Sequence, residues 1–218
     1  MILLLSEKLT TIDHPIFQQS IRYIQAQLGN TRLEPLEQEV LERLIHTSGD
    51  FSIQNLLKFS PDACQKGILA LKNGAPIITD TTMAQVGIGT MARKTLQPSL
   101  HCALDWAPSE KELTDIPRTV SGMLAACNDL SKKWVGHQSP IVVIGSAPKA
   151  LIALIELISA GKFVPSLVIG MPVGFISVLE SKRLLSNTLV PQIRLEGNRG
   201  GAALAAASVN ALLRAAIN

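Results

Sequence analysis

Five short apolar runs, each closed by a turn and followed or preceded by a stretch with helical periodicity, constrain this chain more than any other feature. They are Pro76 to Thr79, Ser99 to Leu104, Ile141 to Ile144, Ser166 to Ile169 and Gln192 to Leu195. Strands separated largely by helices do not pair as hairpins; they line up mainly parallel, and the helices cover both faces. The expected fold is therefore α/β: a three-layer αβα arrangement around a mainly parallel, five-stranded, Rossmann-like sheet.

An N-terminal helical segment precedes this pattern. From His14 to Leu28, the residues Ile16, Phe17, Ser20, Ile21, Ile24 and Leu28 form a mostly apolar stripe at helical spacing, and Gly29-Asn30 ends it. A second helix is expected from Glu34-Pro35, with proline in the first turn, through Leu36, Val40, Leu41, Leu44 and Ile45 to Gly49. Ser60-Pro61-Asp62 reads as the cap of a third, which ends at Asn73-Gly74. With 218 residues and no long Ser, Pro, Gly or charge-rich linker, the chain fits one domain, 1–218.

Charge and cysteine usage exclude several classes. A net charge of +3, with scattered basic residues and only one Tyr and two Trp, is not the footprint of a nucleic-acid binder. Cys64, Cys102 and Cys127 are too far apart for a CxxC pair and odd in number, so a reducing, cytoplasmic setting is expected. Ile2-Leu3-Leu4-Leu5 is too short for the apolar region of a secretory signal. The longest uncharged run, Phe163 to Leu179, contains two prolines and two glycines, which suits a buried strand and turn better than a membrane span.

In a sheet of this kind the ligand site lies at the carboxyl ends of the strands. Those ends carry Gly145-Ser146-Ala147-Pro148, Gly170-Met171-Pro172-Val173-Gly174 and Gly197-Asn198-Arg199-Gly200-Gly201. Each turn fits two roles, an anion cradle of backbone N–H groups or a simple reversal of the chain. Their adjacency favours a shared ligand floor. Neither G-x-G-x-x-G nor G-x-x-x-x-G-K-[ST] occurs, which disfavours a nucleotide-dependent enzyme.

His46 falls opposite the apolar arc of the second helix, near Glu39, Glu42 and Arg43. The helix C-terminus and Glu42 are expected to favour its imidazolium, with Arg43 opposing. A proton donor near neutral pH fits this position, and so does an inert histidine on a solvated face. His14, His101 and His137 have no metal-ligand spacing, so no metal site is expected. Without G-x-S-x-G, Ser-His-Asp hydrolysis is not expected either. Arg43, Arg118, Lys182 and Arg199 lie near turns or helix ends, as binding of a polycarboxylate requires. The Ala-rich end from Ala202 fits core packing better than a subunit contact.

His46-Thr47-Ser48-Gly49, Ser60-Pro61-Asp62, Gly74-Ala75-Pro76-Ile77, Gly145-Ser146-Ala147-Pro148, Gly170 to Phe175, Glu180-Ser181-Lys182 and Gly197 to Gly201 together carry a resemblance. In order and spacing the chain resembles the precorrin-8X methylmutases of cobalamin biosynthesis, from the Ser20 helix to the Ala-rich end. The resemblance implies an intramolecular isomerase that moves a methyl group from C11 to C12 of a tetrapyrrole polycarboxylate, precorrin-8X or cobalt-precorrin-8, to give hydrogenobyrinate or cobyrinate. It implies no cofactor and no external methyl donor, and a homodimer. It assigns His46 the catalytic proton transfer at a ring-C nitrogen, and Ser20, Arg43, Arg118, Ser146, Lys182 and Arg199 contacts with substrate. Ser146 stands where relatives often have Asn, and Gly87-Ile88-Gly89-Thr90 departs from relatives with a larger polar residue near Gly89. A corrinoid carrier on the same fold is the alternative, and turnover separates the two.

Overall fold

The computed structural model describes residues 14–109, 115–133 and 138–217; residues 2–5 and His137 lie outside them. The chain opens with α1 (Pro15–Leu28) and α2 (Pro35–Ser48). Each starts on a proline, whose missing N–H costs a first helical turn nothing. The His14 Nδ1 accepts from the Ile16 N–H at 3.2 Å, and Glu34 and Glu37 form a reciprocal capping box on α2. Gly49, at φ 68°, closes α2 by donating to the Ile45 carbonyl at 2.7 Å.

A short α3 (Ile53–Leu56) leads into β1 (Leu57–Phe59), then α4 (Ala63–Lys72) and β2 (Ile77–Thr79). Next come α5 (Thr82–Lys94), β3 (Leu100–Cys102), a 3₁₀ turn (Ala103–Trp106), α6 (Arg118–Lys133) and β4 (Ile141–Ile144). The rest is α7 (Pro148–Ser159), β5 (Leu167–Gly170), α8 (Val178–Ser186), β6 (Gln192–Leu195) and α9 (Ala202–Ala215).

The six strands of the described residues join one sheet in the order β1-β6-β5-β4-β2-β3, parallel throughout except for β1, which runs antiparallel to β6. The expected five strands are present, and β1 is the addition. Its three residues are too few to show alternation, and the edge position leaves only one neighbour to enforce pairing. Leu104, expected in β3, belongs to the 3₁₀ turn.

The expected Ser60-Pro61-Asp62 cap also differs. Asp62 sits at φ 58° and its side chain makes no capping hydrogen bond to α4, while the Ser60 hydroxyl accepts from the Gln192 N–H at 2.9 Å and ties β1 to β6.

In chain order, the parallel strands lie 2-1-3-4-5 across the sheet, so the order reverses between β2 and β4. This is a mixed, mostly parallel α/β sheet with helices on both faces, and its order differs from the 3-2-1-4-5 of dinucleotide-binding sheets.

The two faces follow from strand alternation. Ile141 and Val143 of β4 pack into a core with α2, α4, α5 and α9; Val142 and Ile144 pack into the other, with α6 and α7. Alanines at 205–207 make α9 thin enough to sit between α2 and α5. At Gly87 of α5 a Cβ would meet the Ala206 Cβ at 2.9 Å, and the Gly87 carbonyl accepts from Asn210 Nδ2 at 3.0 Å. The Ala-rich helix is core, and Gly87 permits the close approach of its neighbour. Among the described residues no helix is long and apolar enough to cross a membrane.

Candidate active site

The last turn of α2 presents His46 at the rim of an open cavity of about 560 Å³. Its lining combines Gln19, Ser20, Tyr23 and Ile24 from α1 with Ile45, His46, Gly49 and Phe51 around the end of α2. The apolar faces of the two helices bring this about, because Ile24 and Leu28 pack with Val40, Leu41, Leu44 and Ile45 and leave Ser20 and His46 on the outer side. Ser20 donates its hydroxyl to the Ile16 carbonyl at 3.0 Å and retains acceptor capacity.

His46 meets the Phe17 ring at a centroid distance of 4.8 Å and an interplanar angle of 69°. The same Phe17 carries two guanidinium groups, Arg43 at 4.8 Å and Arg214 at 5.0 Å from its centroid. Burial, then the Arg43 charge, holds the His46 pKa below the ordinary histidine value. This corrects the expectation that Glu42 would favour the imidazolium. Glu42 is only 4% exposed, and its oxygens accept from Gln25 Nε2 at 3.0 Å and Gln38 Nε2 at 2.8 Å. Its charge faces α1 and the preceding turn of α2.

The three glycine-containing turns lie side by side at the carboxyl ends of β4, β5 and β6, locked together by their backbones. The Met171 N–H donates to Ile144 at 2.8 Å, Val173 to Gly145 at 3.3 Å, Gly174 to Asn198 at 3.2 Å and Gly201 to Met171 at 2.9 Å. Contact is so close that a Cβ on Gly200 would lie 2.1 Å from the Met171 carbonyl oxygen.

The expected anion cradle is already filled from within. Asp80, directly after β2 and 0% exposed, accepts on Oδ2 from the N–H groups of Gly145 at 3.1 Å, Ser146 at 2.6 Å and Ala147 at 2.8 Å. Burial raises its pKa, while those three amides pull the other way. The crevice where the strand order reverses thus holds a protein carboxylate.

Lys182 also departs from expectation. It is 1% exposed, and its Nζ donates to the carbonyls of Gly197 and Arg199, each at 2.7 Å. Its ammonium therefore engages the turn and not the open cavity. Burial pushes its pKa down to about 8, against the attraction of Glu196. Above it, Arg199 reaches across to Asp50 and to the Ser52 hydroxyl, on the loop that follows α2.

The structure thus brings Ser20 and His46 into one cavity, with Arg43 one helical turn away and Arg199 joined to the adjoining loop. Ser146 is exposed at the end of β4, outside that lining. Arg118 begins α6, which packs on the 3₁₀ turn after β3, and donates from Nε to the Pro108 carbonyl at 3.0 Å. Sequence reasoning missed Asp80, Phe17, Arg214 and the Asp50–Ser52 loop. Asp80 had a signal, a lone acid at the carboxyl end of a strand; Phe17 and Arg214 come together only through the packing of α1, α2 and α9. Among the described residues no cluster of three His, Cys, Asp or Glu side chains forms a metal-binding group.

An open cavity with a titratable imidazole at its rim and arginines alongside suits proton exchange with a large anionic ligand. The sequence model of the precorrin-8X methylmutase (CbiC) family matches residues 15–215 of this chain. The chain belongs to that family.

Within the precorrin-8X methylmutase family, the chain is 38% identical over 217 residues to the cobalt-precorrin-8 methylmutase of Synechocystis sp., a match covering 93% of this chain and 95% of that protein. It is 35% identical over 200 residues to the precorrin-8X methylmutase of Pseudomonas aeruginosa, covering 90% and 93%. The crystal structure of a precorrin-8X methylmutase from Thermus thermophilus superimposes with a TM-score of 0.79 at 33% identity, covering 93% of this chain and 95% of that one. Family membership therefore spans both the helical pair carrying His46 and the sheet with its three turns.

Proposed function

We propose that this chain isomerises precorrin-8X or cobalt-precorrin-8 by moving the ring-C methyl group from C11 to C12, with His46 delivering the proton and taking it back. The observation that carries this reading is the cavity that joins His46 to Ser20, with Arg43 and Arg199 beside it. The products are hydrogenobyrinate or cobyrinate, and any cobalt belongs to the substrate. No methyl donor enters, because the migrating group starts and ends on the same molecule.

Burial and the Arg43 charge favour neutral His46. A bound polycarboxylate brings negative charge to the same cavity and favours the imidazolium, so substrate binding itself charges the donor. Protonation of a ring-C nitrogen makes the conjugated receiving carbon, C12, electron-poor, so the methyl moves to it with its bonding pair, the C11–methyl bond breaking as the C12–methyl bond forms; the proton then returns to His46 and the conjugated corrin remains. Holding one geometry of a large ligand supplies much of the rate. Two copies of the chain in a reducing cytoplasm complete the reading. The exposed apolar side chains of Val173, Phe175, Ile176 and Leu179 supply a surface that a second copy would cover.

The test is to mix the purified protein with metal-free precorrin-8X and, separately, with cobalt-precorrin-8, and to follow the visible spectrum. The change that accompanies corrin conjugation is expected with at least one of them. A spectrum perturbed by binding but never converted would replace the enzyme with a carrier.

A further inference from the structure

Lys182 is a buried cation whose bonding partners are two main-chain carbonyls, those of Gly197 and Arg199. Taking an ammonium out of water is unfavourable unless strong acceptors meet it, so a lysine in this position acts on what it holds. What it holds is backbone with little stiffness of its own. Gly197 lies at φ 72° and Gly201 at φ 122°, conformations that glycine adopts easily and loses easily. The turn is pressed onto Met171, but on the side facing α2 its tie is the guanidinium of Arg199 to Asp50 and Ser52. Those two residues flank Phe51, which with Gly49 lines the His46 cavity. Asp50 in turn holds the loop by accepting from the Ser52 N–H at 2.9 Å.

We infer that Lys182 is a positioning residue: its ammonium fixes the 197–201 turn so that Arg199 can brace the 49–52 loop, and with it the wall of the cavity beside His46. The sequence resemblance gives Lys182 a contact with substrate; the geometry gives it a role one layer below. The catalytic part of this inference rests on the isomerase reading, whereas the bracing does not.

The experiment compares wild type, Lys182→Met and Asp50→Asn, each shown to be folded by circular dichroism. Asp50→Asn removes the carboxylate that pairs with Arg199 and so weakens the brace at the surface, leaving the Ser52 hydroxyl as its remaining partner, and keeps an acceptor for the Ser52 N–H, so it remains informative if Lys182→Met fails to fold. The first readout is amide hydrogen exchange. Both variants are expected to lose protection at 49–52, while β3 and α6 exchange as in wild type. Unchanged exchange at 49–52 in either folded variant overturns the inference, whether or not the wild type isomerises precorrin-8X. The second readout is steady-state turnover. Misplaced cavity geometry predicts that kcat falls roughly 10- to 100-fold with KM changed much less, since the lost contact is not with substrate. A rise in KM at constant kcat would overturn the positioning role in favour of direct binding. Failure of the wild type to turn over would sink the isomerase reading alone and leave the exchange result to decide the brace.

Discussion

The floor and the wall of the candidate site handle charge in opposite ways. On the floor, Asp80 and Lys182 are buried, and each is tied to backbone, three N–H groups for one and two carbonyls for the other. On the wall, His46 is exposed, with neither ring nitrogen hydrogen-bonded among the described residues, and it rests on Phe17. The difference separates architecture from chemistry. Charges tied to backbone set the shape of the turns, and the titratable group left open is the one able to meet a ligand.

The largest expected effect tests the floor. Asp80→Ala leaves the buried N–H groups of Gly145 and Ala147 and the half-buried one of Ser146 without their carboxylate and is expected to lower the unfolding free energy by about 3–5 kcal/mol, read by urea denaturation. A loss below about 1 kcal/mol would mean that water or a shifted backbone replaces the carboxylate, and the floor would no longer differ from the wall.

Two glycines sharpen the contrast at smaller scale. Gly200→Ala sets a Cβ against the Met171 carbonyl oxygen and is expected to cost about 1–3 kcal/mol or more. Gly49→Ala, at φ 68° with nothing within 4 Å, meets only the left-handed backbone penalty of about 1–2 kcal/mol. Thermal melts of both proteins check the order; equal losses would argue against an interlocked floor.

The smallest effect concerns the wall. Arg43 disfavours the imidazolium, so Arg43→Gln is expected to raise the His46 pKa, followed by NMR titration. If the free enzyme needs protonated His46, kcat/KM falls as pH rises through that pKa, and the variant moves this limb to higher pH. Glu42→Gln is expected to leave the titration nearly unchanged, because the Glu42 carboxylate is engaged by Gln25 and Gln38. A strong response to Glu42→Gln with none to Arg43→Gln would reverse this picture of the wall.

These regions were unequally legible in the sequence. Strands β4 and β5 could be read because each is a run of buried Ile, Val or Leu ending at a glycine-containing turn, whereas β2, β3 and β6 mix in polar residues and were legible from their place between helical stretches. The two helices of the wall could be read from their stripes and terminal glycines. Strand β1 was hidden because three residues carry no period, and its pairing partner is more than a hundred residues away. The surroundings of His46 were misjudged for a similar reason: helical spacing places Glu42 one turn from His46, but only the packing of α1 shows that its carboxylate points to Gln25. A basic residue in a resembling motif does not reveal whether its head faces solvent or a carbonyl, and Lys182 faces two carbonyls.

The proposed isomerisation depends on His46 moving the proton that allows the methyl shift. The most direct test is a single-turnover comparison of wild type and His46→Ala with the substrate that the wild type converts, recording binding and conversion in the same spectra. General-acid catalysis is typically worth about 10²- to 10⁴-fold, so conversion is expected to slow by that factor while substrate and product still bind. Conversion by His46→Ala at the wild-type rate would show that His46 is not the proton donor.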